Sequence, residues 1–140
     1  MKLSARNQFR GTVDAVTEGA VNGVVVIDLG QETVTSDITM EAIRELDLAV
    51  GKEATAVIKA SNVLVAAGAD RLAGLSARNQ LSGTVEKVTR GAVNGHVSIR
   101  LAGGQSLVAS ITNEAIDELE LNEGTPAVGV VKATDVIIAV

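Results

Sequence analysis

Gly19-Ala20-Val21-Asn22-Gly23-Val24-Val25-Val26-Ile27-Asp28-Leu29 returns 72 residues later as Gly91-Ala92-Val93-Asn94-Gly95-His96-Val97-Ser98-Ile99-Arg100-Leu101. In each copy small, glycine-rich residues precede a β-branched run, which reads as a turn feeding a strand, with Asn-Gly as the hairpin signal. Comparing the copies separates the two faces of that strand. Val25, Ile27 and Leu29 are matched by Val97, Ile99 and Leu101, so alternate positions stay apolar and point to a core. Between them Val24, Val26 and Asp28 become His96, Ser98 and Arg100, so the other face tolerates polar groups; in the first copy its valine pair is expected to lie under a neighbour.

The repetition extends outward on both sides. Leu3-Ser4-Ala5-Arg6-Asn7-Gln8 recurs as Leu75-Ser76-Ala77-Arg78-Asn79-Gln80, and Lys59-Ala60-x-x-Val63 recurs as Lys132-Ala133-x-x-Val136, one position beyond the earlier offset. A tandem duplication with one loop insertion accounts for all of it, so fold and site are read per repeat. The chain divides into residues 1–67, a short linker 68–74 with glycines at both ends, and residues 75–140. Phe9 to Val16 reads as a first strand, Val24 to Leu29 as a second and Glu32 to Ile38 as a third. Thr39 is an N-cap for a short helix, Met40 to about Leu46, with Glu41 at the positive end of its dipole. Gly51 leads to a fourth strand, Ala54 to Lys59, and Val63 to Val65 is expected to close the unit as a fifth. The order β-β-β-α-β-β is that of the OB-fold, so an all-β chain of tandem five-stranded barrels with short helices is predicted.

Units of about 65 residues are near the lower limit for independent folding, so they are expected to pack on each other and on further chains. Hydrophobic residues make up 46% of the chain and aromatics 1%, which leaves the core to Val, Ile, Leu and Ala. A net charge of −5 argues against nucleic acid and anionic membranes as partners, because both need a basic surface. With no Cys and one His, thiolate or multi-histidine metal centres within one chain are excluded, so no directly coordinated metal is expected. The amino terminus lacks the apolar core of a signal peptide and no apolar run approaches membrane length, which reads as a cytoplasmic protein.

Two segments are identical in both copies without an evident packing reason. Ser-Ala-Arg-Asn supplies a hydroxyl, a guanidinium and an amide, and Lys59 or Lys132 adds an ammonium just before the final strand. Grouped together they would form a donor-rich pocket for a small oxyanion. Taken singly, such residues are more often solvated surface groups or turn caps, and their double occurrence weighs against that reading. The loops Gly19 to Asn22 and Gly91 to Asn94 could turn main-chain N–H groups toward an anion, or be ordinary Asn-Gly turns.

The Ser-Ala-Arg-Asn-Gln start, the Gly-Ala-Val-Asn-Gly loop, the Ile-Thr-x-Glu-Ala helix start and the Lys-Ala-x-x-Val ending together resemble the molybdate-binding Mop, or TOBE-type, domains. Occurring twice over nearly the whole chain, they resemble the two-domain molybdenum-pterin-type binding proteins. The resemblance implies OB-like domains working in pairs, three chains forming a homotrimer, and molybdate held at interfaces between chains. One kind of site would use Ser4, Ala5, Arg6, Lys59, Ala60 and Ser61, with Ser76, Ala77, Arg78, Lys132, Ala133 and Thr134 in the second repeat. The other, around the threefold axis, would use Gly19, Ala20, Val21 and Asn22 with Gly91, Ala92, Val93 and Asn94. Ser61-Asn62 becomes Thr134-Asp135, and an Asp is repulsive beside an anion, so Asp135 is left out of the set.

Molybdate is an unprotonated tetrahedral dianion near neutral pH. A pocket made only of donors leaves the hydroxyl of a partly protonated phosphate facing another donor; sulfate must be excluded by size, and tungstate should bind like molybdate. The main rival is an OB-fold binder of single-stranded nucleic acid, which needs stacking aromatics in a basic groove, and Phe9 is the only aromatic residue. A purely structural oligomerisation protein is the other alternative. No nucleophile–base pair, paired-carboxylate signature or cofactor fingerprint points to an enzyme. Glu41 and Glu45, like Glu114 and Glu118, read as a solvated helix face. The 140 residues leave no room for a helix-turn-helix or nucleotide-binding domain, so storage, buffering or delivery of the oxyanion leads.

Overall fold

The computed structural model describes residues 2–140. The first repeat contains β1 (Asn7–Thr17), β2 (Asn22–Asp28), β3 (Thr33–Thr39), α1 (Met40–Glu45), β4 (Glu53–Ile58) and β5 (Leu64–Ala67). The second repeats the series as β6 (Asn79–Arg90), β7 (Asn94–Leu101), β8 (Ser106–Thr112), α2 (Asn113–Glu118), β9 (Pro126–Val131) and β10 (Ile137–Ala139). Two five-stranded antiparallel sheets result, and both curl. The long strands β1 and β6 each carry an irregularity, at Val13/Ala15 and Val85/Lys87, of the kind that bends a strand without ending it. The tandem OB-like architecture expected from the sequence is present.

The fifth strand corrects one expectation. Val63 to Val65 was expected to close its own unit, but β5 pairs with β9 of the other repeat, Leu64 opposite Val130 and Ala67 opposite Ala127. Reciprocally β10 joins β4, with Ile137 opposite Val57 and Ala139 opposite Thr55. The sheet orders are therefore β10-β4-β1-β2-β3 and β5-β9-β6-β7-β8. After β4 a 3-10 turn at Ala60–Asn62 packs against β8 and carries the chain across; the turn at Ala133–Asp135 does the same against β3. Each repeat is too small to bury its apolar face well alone, and the exchange merges both into one core that includes Val25, Ile27, Ile58, Val97, Ile99 and Val131.

Two buried amides fasten the halves where the strands cross. Asn7 Nδ2 donates to the carbonyl of Val108 and its Oδ1 accepts from the Val108 N–H, both at 2.8 Å. Asn79 does the same to Thr35, both at 2.7 Å. The asparagine side chain thus supplies the donor and acceptor that an edge strand would otherwise leave unpaired, and burying it is favourable only because both ends are satisfied.

The helices start as predicted: Thr39 and Thr112 side chains accept from the N–H groups of Ala42 and Ala115, each at 3.1 Å. Asn22-Gly23 does not form the hairpin turn. It opens β2, paired with Thr39 and Ile38, and no residue of the preceding loop has a positive φ. Gly23 is required for room instead, since a Cβ there would meet Ile43 Cδ1 at 2.5 Å and Met40 Sδ at 2.8 Å under α1. The inserted residue lies between β7 and β8: Leu107 faces Ile99 as Val34 faces Ile27, and the extra length falls in Ala102-Gly103-Gly104-Gln105.

Candidate functional site

The register of β1 against β4 assembles the first site. Asn7 opposite Ile58 is the last rung of that ladder. Arg6 and Lys59 are the next residues outward, and facing positions of an antiparallel pair share a sheet face. Two cations are thereby brought together at one ladder end. A cavity of about 390 Å³ opens there, and Ser4, Ala5, Arg6, Lys59, Ala60 and Ser61 all line it, together with Leu3, Val57 and Ile137. Ile137 comes from the exchanged strand, so both repeats build this cavity. The three ion pairs among the described residues are Arg10–Glu53, Arg90–Asp117 and Arg100–Glu86, and none uses Arg6, Lys59, Arg78 or Lys132. Repulsion between adjacent cations in one cavity is relieved by an anion, and the hydroxyls of Ser4 and Ser61 add neutral donors.

The segment carrying Ser4 and Arg6 is shaped by the glutamine that follows. Gln8 Nε2 donates to the carbonyls of Leu3 at 3.0 Å and Ala5 at 2.9 Å. Gln80 Nε2 reaches those of Leu75 and Ala77, both at 3.3 Å. This ties down the carbonyls of the segment, which would repel an anion, and explains Gln as the last letter of the repeated hexad. The asparagine of Ser-Ala-Arg-Asn, expected among the pocket donors, is instead spent on the opposite repeat through the Asn7–Val108 and Asn79–Thr35 pairs.

In the second repeat the ladder ends alike, Asn79 facing Val131, so Arg78 and Lys132 are the next residues outward. The surface is divided differently, however. Arg78 lines a cavity of about 230 Å³ with Arg71, Glu32, Thr33 and Thr35, while Ser76, Ala77, Lys132, Ala133 and Thr134 lie at the same ladder end without lining it. Burial pushes the Glu32 carboxyl above the usual carboxylate range, and a hydrogen bond from the Ala102 main chain offsets part of that.

The loop residues stand elsewhere. Gly19 to Asn22 and Gly91 to Asn94 follow β1 and β6, about 30 Å of extended strand from the ladder-end sites. Their tips project, Val21 75% and Val93 72% exposed. They are anchored by main-chain bonds from Met40 N to Val21 O and from Asn113 N to Val93 O, each 2.8 Å. Without a left-handed residue the alternating form of an anion nest is not present.

Sequence reasoning missed Leu3, Val57 and Ile137 in the first cavity and Glu32 and Arg71 in the second. Leu3 and Leu75, identical in both hexads and 46% and 43% exposed, were the available signal. Among the described residues no group of three His, Asp or Glu side chains could hold a metal ion. Among the described residues no helix is long and apolar enough to cross a membrane.

A TOBE domain model matches residues 3–65 and again 75–138. This chain belongs to the TOBE-domain family. It is similar to the molybdenum transport protein ModE of Herbaspirillum seropedicae, 43% identical over 141 residues, and to the molybdenum-pterin-binding protein MopA of Rhodobacter capsulatus, 42% identical over 140. Those matches cover 100% and 99% of this chain but 52% of each relative, so the chain spans about half the length of the curated relatives it matches. A crystal structure of the cytoplasmic molybdate-binding protein ModG with molybdate bound superposes with a TM-score of 0.94 and 47% identity, covering 100% of this chain and 99% of that one. The TOBE matches run through both ladder-end segments of each repeat, Ser4 to Arg6 with Lys59 to Ser61 and Ser76 to Arg78 with Lys132 to Thr134.

Proposed function

We propose that this protein binds molybdate, with tungstate as its close analogue, and serves in cytoplasmic storage and homeostasis of the oxyanion rather than in catalysis. The observation that carries the reading is the convergence of Ser4, Arg6, Lys59 and Ser61 on one cavity at the end of the β1–β4 ladder. The likeness to ModG over the whole chain supports it. Charge-assisted hydrogen bonds contribute about 1.5–3 kcal/mol each, and micromolar affinity corresponds to about 8 kcal/mol, so four to six donors suffice after association costs. The binding units are residues 1–67 and 75–140 joined by 68–74, and the second ladder-end site uses Ser76, Ala77, Arg78, Lys132, Ala133 and Thr134.

The functional form is a homotrimer without a nucleic-acid partner. Leu3 and Ile137 are exposed beside the first cavity, and Leu64 and Leu75, their counterparts in the other repeat, are exposed as well. Apolar side chains flanking a charged pocket suit a site completed by a neighbouring chain, which would bring the missing donors and exclude water. Val21 and Val93 suit the second kind of site, formed by Gly19 to Asn22 and Gly91 to Asn94 around the threefold axis. Elemental analysis of the purified protein together with its mass in solution tests this: molybdenum in a trimer is expected, displaced by tungstate but not by equal sulfate or phosphate. A monomer that takes up no molybdate contradicts it.

A further inference from the structure

The two repeats differ in charge at one structurally equivalent position that packs against the other repeat's ladder end. Glu32 and Gln105 both precede the third strand of their repeat, and each main-chain carbonyl accepts from the N–H of the leucine at the exit of the second strand, Leu29 and Leu101, at 2.8 Å. Both side chains reach into the opposite repeat: Gln105 Nε2 donates to the carbonyl of Leu29 at 3.2 Å, and Glu32 accepts from the main chain of Ala102. Each also leaves one oxygen buried and unpaired, Oε2 of Glu32 and Oε1 of Gln105. The main-chain bonds correspond, and only Glu32 is ionisable.

Glu32 lines the cavity that Arg78 lines. The Asn79–Thr35 and Asn7–Val108 clamps place the third strand of each repeat against the other's ladder end, so Gln105 stands at the corresponding place along the strand near Arg6, outside the cavity that Arg6 lines. Resting on the oxyanion reading above, we infer that Glu32 sets the two ladder-end sites apart, its carboxylate weakening dianion binding at the Arg78 site relative to the Arg6 site. Two effects act in that direction. A fixed negative charge repels the incoming dianion, and the carboxylate attracts the guanidinium that the dianion needs. Half-burial of Glu32 reduces solvent screening of both. Arg71, on the connecting segment and lining the same cavity, opposes Glu32 from an exposed position and so offsets it only in part.

The chain therefore holds a tighter and a weaker ladder-end site, able to buffer over a wider range of concentration than two equal ones. The test is calorimetric titration of sodium molybdate into the full chain with one site removed. In an Arg6→Ala background, which leaves the Arg78 site as the one ladder-end site beside any loop sites, Glu32→Gln is expected to tighten that ladder-end binding about tenfold, or ~1.4 kcal/mol, and Arg71→Ala to weaken it. In an Arg78→Ala background Gln105→Glu is expected to weaken the first site by a similar factor; this reciprocal arm does not depend on the folding of the Glu32 variant. Molybdate uptake by the unsubstituted chain with affinities unmoved by both Glu32→Gln and Gln105→Glu overturns this inference alone. A chain that takes up no molybdate in any form overturns the binding reading and this inference with it.

Discussion

The two halves of this chain share their core and their crossing points but diverge on their outer faces. Val25, Ile27 and Val34 have their equals in Val97, Ile99 and Leu107, all fully buried. The clamps Asn7 and Asn79 and the shaping glutamines Gln8 and Gln80 are the same residues making equivalent bonds. On the outer face, by contrast, Asp14, Val26 and Thr33 of the first half become Glu86, Ser98 and Ser106, which join in one network. Glu86 accepts from Ser98 at 2.8 Å, from Ser106, and from Arg100 Nε at 2.7 Å. The asparagine clamps, the shaping glutamines and the Ser-Ala-Arg and Lys-Ala segments at the ladder ends stayed identical, while this outer face drifted. In a chain with exchanged strands a change at Asn7 or Asn79 in one half also loosens the edge strand of the other.

That contrast can be broken most severely at the crossing points. Asn7→Ala or Asn79→Ala leaves a buried N–H and carbonyl of the opposite edge strand unpaired, with an expected loss of about 3 kcal/mol each. Both should act on the unfolding of the whole chain. Urea titration reads this as a lowered midpoint in a single transition; two separate transitions would contradict the shared core.

The glycines beneath the helices sharpen the comparison. Gly23→Ala and Gly95→Ala should each cost about 1–3 kcal/mol by overpacking, with the second the larger. A Cβ at Gly95 meets the Thr89 carbonyl at 2.8 Å, main chain that cannot swing aside, whereas at Gly23 the equivalent Thr17 carbonyl stands off at 3.0 Å and the closer atoms are side-chain ends, Ile43 Cδ1 and Met40 Sδ. Thermal denaturation of the two variants gives the order.

The smallest effect is electrostatic and belongs to the second half alone. Hydrogen bonds from Ser106 and Ser98, and then Arg100, hold the Glu86 carboxyl below its ordinary value of 4.5. A depressed folded-state pKa contributes stability above the unfolded value and loses it as pH falls through the folded one. Glu86→Gln should therefore flatten the loss of stability below about pH 4.5, and an unchanged acid limb would show that the network adds nothing.

Most of the strand order was legible in the sequence because each strand carries its own alternation and each helix its own threonine cap. The exchange of β5 and β10 was not. Val63 to Val65 and Ile137 to Ala139 are apolar runs that either sheet accepts, and the duplication makes the two sheets near copies; the choice is made by the turns at Ala60–Asn62 and Ala133–Asp135, whose direction depends on packing against β3 and β8. Asn22-Gly23 misled for a related reason: the signal for a tight turn and the need for space under a helix both select glycine. At the ladder ends the Arg–Lys pairing was readable as two repeated segments, and the register that joins them became visible only in the β1–β4 and β6–β9 ladders. Glu32 gave no sign at all, since its counterpart Gln105 lies beyond the inserted residue and the two align only once the loop is placed.

The central claim is that Arg6 and Arg78 each anchor a dianion at the end of a strand ladder. Equilibrium dialysis of molybdate against the intact protein and the Arg6→Ala/Arg78→Ala double variant, with molybdenum counted per chain, tests it most directly. Loss of one class of site, with the chain still folded, is the predicted result. An unchanged molybdate stoichiometry would contradict it.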